Sequence, residues 1–391
     1  ALAASEMGLA VVLVVGGALL AKSFASLEAV DPGFDSERVL VFGLTHPAAR
    51  YRERSQIVGF YERVFGALVA LPGVQRVSAS YDPPLESNWY QGVELPDVPA
   101  PPGADRGALF RTVTPGYFAT LGVELLEGRP FNDADDVGAP GAAIVNEAFV
   151  GRFFPDGRAL GRRLLTSTTQ WRWGEVVPRE FHVVGVVENE SFDVPGTAGQ
   201  PAYYLPLRQT PQERMTVLVR AAVDPDSLVA PVRDSLRALD PALPMAEVRT
   251  LGSMRARSLA RPRFRALVLA AFAGFALILA AIGLSGVLSD SVMQRRREIG
   301  VRLALGADRR SVFVFMLSEG LRPALYGLLL GLAGSLTLGR GLAGLLYGVS
   351  PLDPQVYAAV AAVLIAVGTL ACSAPAWRAA RTDPMAALRS D

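Results

Sequence analysis

The chain has 391 residues, 51% of them hydrophobic, and its 38 basic and 37 acidic residues leave a formal net charge of +1. Net charge therefore gives no argument for a nucleic-acid partner or an acidic substrate, and we predict no nucleic-acid partner. The single cysteine, Cys372, excludes an intrachain disulfide and a multi-cysteine metal site.

The first predicted element is a transmembrane helix over residues 1–22, whose apolar run is interrupted by Ser5 and Glu6. An ionisable group inside a span points by default to function, whereas Glu6 near the membrane surface would need no special role. The sequence opens at Ala1, inside the apolar run, without an initiator Met and without a charged region before it. We therefore expect a fragment of a longer protein.

Residues 23–262 are predicted to form a water-soluble domain of mixed α+β structure in two lobes. Strand-like patterns cover residues 38–45, 74–81, 109–113, 142–146, 181–187, 202–207, 215–221 and 246–250. Helical patterns cover residues 53–71, 115–121, 147–154 and 225–239. The opening strand, helix and strand predict a sheet with a helix on one face.

Three further spans are predicted at about residues 266–288, 321–338 and 356–374, so that residues 263–391 form a membrane domain and the chain has four transmembrane helices. Arginines cluster between the second and third spans and again after the fourth, which predicts that the loop and the C-terminal tail are cytoplasmic. The arginines of residues 255–265 and Lys22 oppose this orientation. We keep it because large domains are translocated largely regardless of charge, and the soluble domain is then extracytoplasmic.

Glycines on the third span predict close helix packing. Gly327 and Gly331 form a GxxxG pair, and Gly334 extends the same face. The alternative is that they only reflect the general abundance of glycine in membrane helices.

Motifs for catalysis are missing from the sequence: there is no GxxxxGK[ST] phosphate loop, no GxSxG elbow and no HExxH helix. His46 and His182 are the only histidines, and we expect them to be surface or packing residues. Residues 132–136 faintly resemble a calcium loop, but the closing glutamate is missing and a solvated turn is favoured. We therefore predict no enzyme, no metal site and no cofactor.

Residues 290–318, the predicted cytoplasmic loop, carry the clearest functional signal. A run of arginines leads into apolar positions, a break at Gly306-Ala307, Asp308 as a candidate N-cap, and a further helix. The segment is amphipathic, and its composition leaves two partners open, anionic lipid headgroups and another protein.

Residues 294–310, QRRREIGVRLALGADRR, strongly resemble the cytoplasmic signature of FtsX-like permeases of MacB-type ABC transporters. Residues 346–354 (LYGVSPLDP) and 375–389 (PAWRAARTDPMAALR) are similar to later stretches of the same family. Upstream, similarity to the MacB-type periplasmic core domain is carried by VDPGFD at 30–35, LPGV at 71–74, TPGYF at 114–118, EGRPF at 127–131 and IVNE at 144–147. The resemblance covers essentially the whole chain and is closer still to duplicated orphan permeases.

The resemblance implies a permease subunit of the bacterial inner membrane. Its cytoplasmic segment would bind a separate ABC ATPase, and its outer domain would move when the ATPase closes, a mechanism called mechanotransmission, to export or extract a substrate. The residues predicted to couple to the ATPase are Arg295, Arg296, Arg297, Glu298, Ile299, Arg302, Leu303, Arg309 and Arg310.

The resemblance also implies a dimer, formed by two copies or by a tandem second permease unit, surrounded by membrane lipid. A periplasmic adaptor is a further candidate partner. The alternative function is an FtsX-like membrane scaffold or signalling protein that regulates an extracytoplasmic enzyme. The substrate itself has no readable motif.

Overall fold

The computed structural model describes residues 2–46, 51, 53–86, 89–99, 103, 105–136, 138–169, 176–190, 199–305, 308–342, 344 and 346–381. The chain divides into two compact units. The sheet unit is Val30–Ala260, and the membrane unit comprises Ala1–Ala29 together with Arg261–Asp391.

The described part of the sheet unit contains eleven strands. They are β1 (Val39–Thr45), β2 (Val74–Ser80), β3 (Tyr90–Glu94), β4 (Gly107–Val113), β5 (Leu125–Gly128), β6 (Ala142–Asn146), β7 (Arg163–Thr169), β8 (Val176–Val187), β9 (Ala202–Pro206), β10 (Arg214–Ala221) and β11 (Met245–Thr250). Its helices are α2 (Arg54–Val69), α3 (Tyr117–Leu121), α4 (Glu147–Phe153) and α5 (Val229–Leu239), with a 3₁₀ turn at Pro225–Leu228.

The strands form two lobes within one hydrogen-bonded network. In the first lobe the order is β11-β1-β10-β2, with every neighbouring pair antiparallel. In the second lobe β4, β3, β7, β8, β6 and β9 follow one another, and β9 pairs back onto β4, so the path closes and protects its edges. Ser80 of β2 pairs with Val113 of β4 and joins the lobes. The predicted mixed α+β domain in two lobes is confirmed.

Strand β1 shows how the sequence directs packing in the first lobe. Leu40 and Phe42 face the apolar cluster that includes residues of α2, whereas Val39 and Val41 face a second cluster on the opposite side. Because both faces are covered, the strand is apolar at consecutive positions rather than alternating.

Three strands escape the sequence patterns, namely β3, β5 and β7. Strand β3 buries only Val93, and no residue of β5 is fully buried. Such strands have little apolar alternation to detect, and they are held by backbone pairing with neighbours in the second lobe.

Some of the short motifs have local structural roles. Asn146 ends β6 and caps α4, since its Oδ1 accepts from the amides of Phe149 at 2.9 Å and Ala202 at 2.8 Å. Gly128 has φ of +78°, and a Cβ there would collide with the Val184 carbonyl oxygen. Asn146 thus fixes the junction between β6 and α4, and position 128 requires glycine.

The membrane unit is helical. Its helices are α1 (Leu2–Glu28), α6 (Leu251–Gln294), which begins in the sheet unit, α7 (Arg296–Ala304), α8 (Arg309–Leu342) and α9 (Pro354–Ala380). Four helices in the described residues, α1, α6, α8 and α9, are long and apolar enough to cross a membrane. The prediction of four spans is confirmed, and each helix is longer than its predicted span because hydropathy detects only the part that lies in hydrocarbon.

Candidate functional site

Helix α7 carries most of the predicted coupling residues and has one buried and one exposed side. Ile299 is only 2% exposed and lies in the same apolar cluster as Val312 and Met316 of α8. Burying such a side chain contributes roughly 1.5–3 kcal/mol. The side chains of Arg296 and Arg297 are exposed. Ile299 thus fastens α7 to the membrane unit while its arginines face outward.

The exposed side of α7 contains one internally paired arginine and two free ones. Arg302 donates from Nη2 to Oε1 of Glu298 at 2.6 Å, and its guanidinium carbon lies 4.7 Å from the centre of the Phe315 ring. Among the described residues, Arg296 and Arg297 form no ion pair or hydrogen bond. These two guanidinium groups are therefore available to an acidic partner without the loss of an existing contact.

Glu319 of α8 is a site residue that the sequence analysis missed. Its Oε1 accepts from Arg295, in the link between α6 and α7, at 3.1 Å, and its Oε2 accepts from Arg322 at 2.7 Å. Its side chain is 18% exposed. One carboxylate thus ties the start of α7 to α8. The available signal was a lone acidic residue three positions before an arginine at the edge of the predicted third span.

Arg309 and Arg310 lie beside the end of α9 rather than on α7. With Phe313, Trp377 and Arg381 they line a cavity of about 270 Å³. The Arg381 guanidinium carbon lies 4.6 Å from the centre of the Trp377 ring. These arginines form a second basic surface next to that of α7.

Three predicted features lie partly or wholly outside the described residues. Leu303 is in α7, but its side chain is not among those described. The Gly306-Ala307 break and the tail from Thr382 onward are also outside the described residues. Helix α8 begins at Arg309, directly after the candidate cap Asp308.

The glycines of α8 lie against α1. A Cβ on Gly327 would stand 2.7 Å from the carbonyl oxygen of Ala4, and one on Gly331 would stand 2.7 Å from that of Gly8. A Cβ on Gly334 would meet Val12 at an ordinary 3.5 Å. At two of the three positions any larger residue would displace neighbouring atoms, and the helix they contact belongs to the same chain.

Glu6 of α1 is exposed and lies next to α6. A Cβ on Gly283 would stand 2.5 Å from Oε2 of Glu6. The carboxylate thus occupies the space that the missing side chain leaves, close to the start of α1.

At the opposite end of the membrane unit, polar contacts join α1 to the loop before α9. Lys22 Nζ lies 2.5 Å from Oδ2 of Asp353, and Ser23 Oγ accepts from the Tyr347 amide at 2.7 Å. The hydrogen bond from Lys22 lowers the pKa of Asp353, which also caps α9 through the Gln355 amide. Lys22, which opposes the predicted orientation as a free charge, is thus ion-paired.

The sheet unit contains a fully buried polar cluster that the sequence analysis missed. Arg111 of β4 donates to Oε1 of Glu190 at 2.8 Å, and neither side chain is exposed. The hydroxyls of Tyr117 and Tyr204 donate to Glu190 at 3.1 and 2.8 Å. Burial raises the pKa of Tyr117 and of Tyr204 well above the ordinary tyrosine value, so both hydroxyls keep their protons.

Residues 132–136 are held by protein donors. Asp135 accepts two hydrogen bonds from Arg129, at 2.7 and 2.8 Å, and one from the Asn132 amide at 2.9 Å. Within the described residues no group of three or more His, Cys, Asp or Glu could hold a metal ion. His46 is buried, and its ring packs edge to face against that of Tyr51, with 5.6 Å between the ring centres. The side chain of His182 is 44% exposed.

Two family models match the chain. Residues 9–239, more than half of its length, match the MacB-like periplasmic core domain, and residues 270–384 match the FtsX-like permease C-terminal region.

Individual relatives are distant in sequence. The pyoverdine export ATP-binding/permease protein PvdT of Pseudomonas syringae pv. tomato is 28% identical over 274 residues, which cover 68% of this chain and 40% of that protein. The uncharacterized ABC transporter permease YvrN of Bacillus subtilis is 28% identical over 291 residues, covering 70% of this chain and 68% of YvrN. The chain therefore spans about 40% of the length of the pyoverdine exporter.

One solved structure aligns with part of the chain. The periplasmic region of MacB from Actinobacillus actinomycetemcomitans aligns with a TM-score of 0.38 and 14% identity, over 57% of this chain and 94% of that one.

Proposed function

Because this chain belongs to the family of ABC-transporter permeases with a MacB-like periplasmic core domain and an FtsX-like C-terminal region, in the bacterial inner membrane, we propose that it couples ATP hydrolysis by a separate ATPase to movement of its extracytoplasmic sheet unit. The movement would export or extract a substrate. Helix α7 would be the surface on which the ATPase acts.

The observation that carries this proposal is the two-sided character of α7. Its exposed guanidinium groups, Arg296 and Arg297, suit an acidic groove, and Ile299 of the same helix is buried in the apolar cluster that includes Val312 and Met316 of α8. A force applied to the exposed side would therefore reach α8 through packed side chains and through the Arg295–Glu319 ion pair.

From α8 the same force has a short route to α1. The carbonyl oxygens of Ala4 and Gly8 of α1 lie against Gly327 and Gly331 of α8. The two backbones are therefore packed directly against each other at these points, without an intervening side chain from α8. Helix α1 ends at Glu28, immediately before the sheet unit begins at Val30. We therefore propose that the motion begins at α7 and reaches the sheet unit in part through α1.

The test is an affinity pull-down of the full chain from its native membranes in mild detergent, with mass spectrometry for a P-loop ATPase. We expect the wild type to recover an ATPase and the double variant Arg296→Ala, Glu298→Ala to lose it. Arg233→Ala, Asp234→Ala is a matched control, because it removes one exposed arginine and one exposed carboxylate from α5 of the sheet unit.

Recovery of the same ATPase by the α7 variant and the wild type would contradict the role of α7. Absence of any ATPase from the wild type would contradict the transporter proposal as a whole and favour the scaffold alternative.

A further inference from the structure

A groove of about 350 Å³ lies in the membrane unit between α1, α8 and α9. Most of its lining is apolar, and the apolar side chains are Met7, Leu321, Ala324, Leu325, Leu328, Leu364 and Ile365. Its polar lining residues are Ser318 and Arg322, both on α8. The volume is at the lower end of the roughly 300–1,000 Å³ typical of small-molecule sites.

The polar and apolar parts of the groove are separated along α8. Leu328 follows Arg322 by six residues, about 9 Å along the helix axis. Arg322 is nearer the end of α8 that adjoins α7, the cytoplasmic end, and Leu328 is deeper in the predicted hydrocarbon region. Pro323, which lacks an amide donor, lies at the junction. The groove thus changes from charged to apolar in the direction that leads into the bilayer.

The charged end of the groove is a net cation. Glu319 is the only carboxylate that the described contacts give to Arg322, and it is shared with Arg295. Two guanidinium groups against one carboxylate leave an excess of one positive charge. The Arg322 side chain is 67% exposed, so it can reach a further anion without breaking its pair with Glu319.

We propose that this groove binds one anionic phospholipid of the cytoplasmic leaflet, with the headgroup phosphate at Arg322 and an acyl chain along Leu325, Leu328 and Ile365. Basic pockets between membrane helices on the cytoplasmic side are suited to anionic headgroups. A phospholipid presents a negative charge and then an apolar chain, in the same order as the groove. If an apolar helix of a second copy occupied the groove instead, the excess positive charge at Arg322 would be buried without an anion to pair with it, which costs free energy.

The test uses the full chain, purified and delipidated in a mild non-ionic detergent, and titrated with phosphatidylglycerol or phosphatidylcholine of identical acyl chains. Native mass spectrometry reports the fraction of protein that carries one lipid. We expect phosphatidylglycerol to bind about fivefold more tightly than phosphatidylcholine, the preference expected from one arginine near the membrane surface.

Two variants separate the two parts of the site. Arg322→Gln is expected to make the affinities for the two lipids equal, and Leu325→Trp, which fills the groove, is expected to weaken binding of both. The matched controls are Arg309→Gln, an exposed arginine outside the groove on the same helix, and Leu330→Trp, an exposed leucine on the face of α8 opposite the groove lining. Both controls should retain the fivefold preference.

Equal affinities of the wild type for both lipids would overturn the proposal, as would an unchanged preference in Arg322→Gln. If Leu325→Trp instead dissociates a dimer and leaves lipid binding unaltered, the groove is an interface between copies and the proposal is wrong. Because the assay contains no ATPase, its outcome is independent of the role of α7.

Discussion

The two units of this chain are stabilised in opposite ways. In the sheet unit the largest side chains point inward, and Arg111, Tyr117 and Tyr204 are among the largest that are fully buried. In the membrane unit large side chains such as Phe272 and Phe275 of α6 are more than half exposed, while glycines allow α1 and α8 to approach closely. In the sheet unit the hydrophobic effect buries large apolar side chains away from water. In the membrane unit the surrounding hydrocarbon provides no such driving force, and close packing at small residues holds the helices together.

The largest expected effect comes from breaking the buried ion pair of the sheet unit. Glu190→Ala leaves the Arg111 charge in a site without exposure, and we expect a loss of roughly 3–5 kcal/mol in the free energy of unfolding. The measurement is denaturant unfolding of the full chain in detergent, with hydrogen exchange on β4 and β9 to locate the loss. The control Tyr204→Phe removes a single hydroxyl and should cost about 1 kcal/mol. A similar loss in both variants would show that the ion pair is not central to this core.

The next largest effect comes from adding a methyl group between α1 and α8. Gly331→Ala places its Cβ against Val11 and the Gly8 carbonyl oxygen, and we expect a cost of about 1–3 kcal/mol despite a gain in helix propensity. Unfolding in mixed detergent micelles with increasing dodecyl sulfate, followed by circular dichroism, measures it. Gly334→Ala has room for its Cβ and should be neutral or stabilising. Equal stability of the two variants would contradict glycine-dependent packing.

A smaller effect is expected at the link between α7 and α8. Glu319→Gln keeps the shape of the side chain but removes the charge that Arg295 and Arg322 share, which weakens two ion pairs by about 1 kcal/mol in total. We expect faster hydrogen exchange in α7, with the exchange of α1 unchanged. Glu298→Gln, which removes the charge of an ion pair internal to α7, is the comparison. If it accelerates exchange in α7 as much as Glu319→Gln, then Glu319 is not the link.

The smallest expected effect is a pH dependence in the sheet unit. Burial alone would raise the pKa of Asp135, but hydrogen bonds from Arg129 and from the Asn132 amide outweigh it and lower that pKa. A carboxyl with a lowered folded-state pKa stabilises the fold above its unfolded pKa of about 3.9 and loses this contribution as the pH falls through the folded-state value. The wild type should therefore lose more stability than Asp135→Asn between pH 5 and pH 3 in denaturant titrations. Parallel losses would remove Asp135 as the cause.

Much of the fold follows from local patterns in the sequence. The four spans are long apolar runs, and β1, β6 and β10 are apolar strands bounded by turn residues, so each is visible without its neighbours. Strand β5 is different, because its residues are mostly exposed and it exists through its pairing with β8. The ends of α6 were also missed, since a helix that leaves the hydrocarbon no longer has to be apolar.

The candidate site was predictable only where its residues are contiguous. The arginines of α7 form one run, whereas Glu319 acts on Arg295 across 24 positions. An arginine inside the apolar strand β4 was a visible anomaly, but its partner Glu190 lies 79 residues away in a segment without regular structure. Sequence spacing cannot join such pairs, because the fold alone brings them together.

Lys22, described above in its ion pair with Asp353, is the only lysine in the sequence, among 37 arginines. An amine-selective reagent therefore has a single side-chain target, 38% exposed, at the end of the membrane unit opposite α7. Reductive methylation with a carbon-13 label would install one reporter there, and its NMR shift would follow whether the ammonium group stays with Asp353. Lys22 thus offers one side-chain position for a spectroscopic label that needs no introduced cysteine.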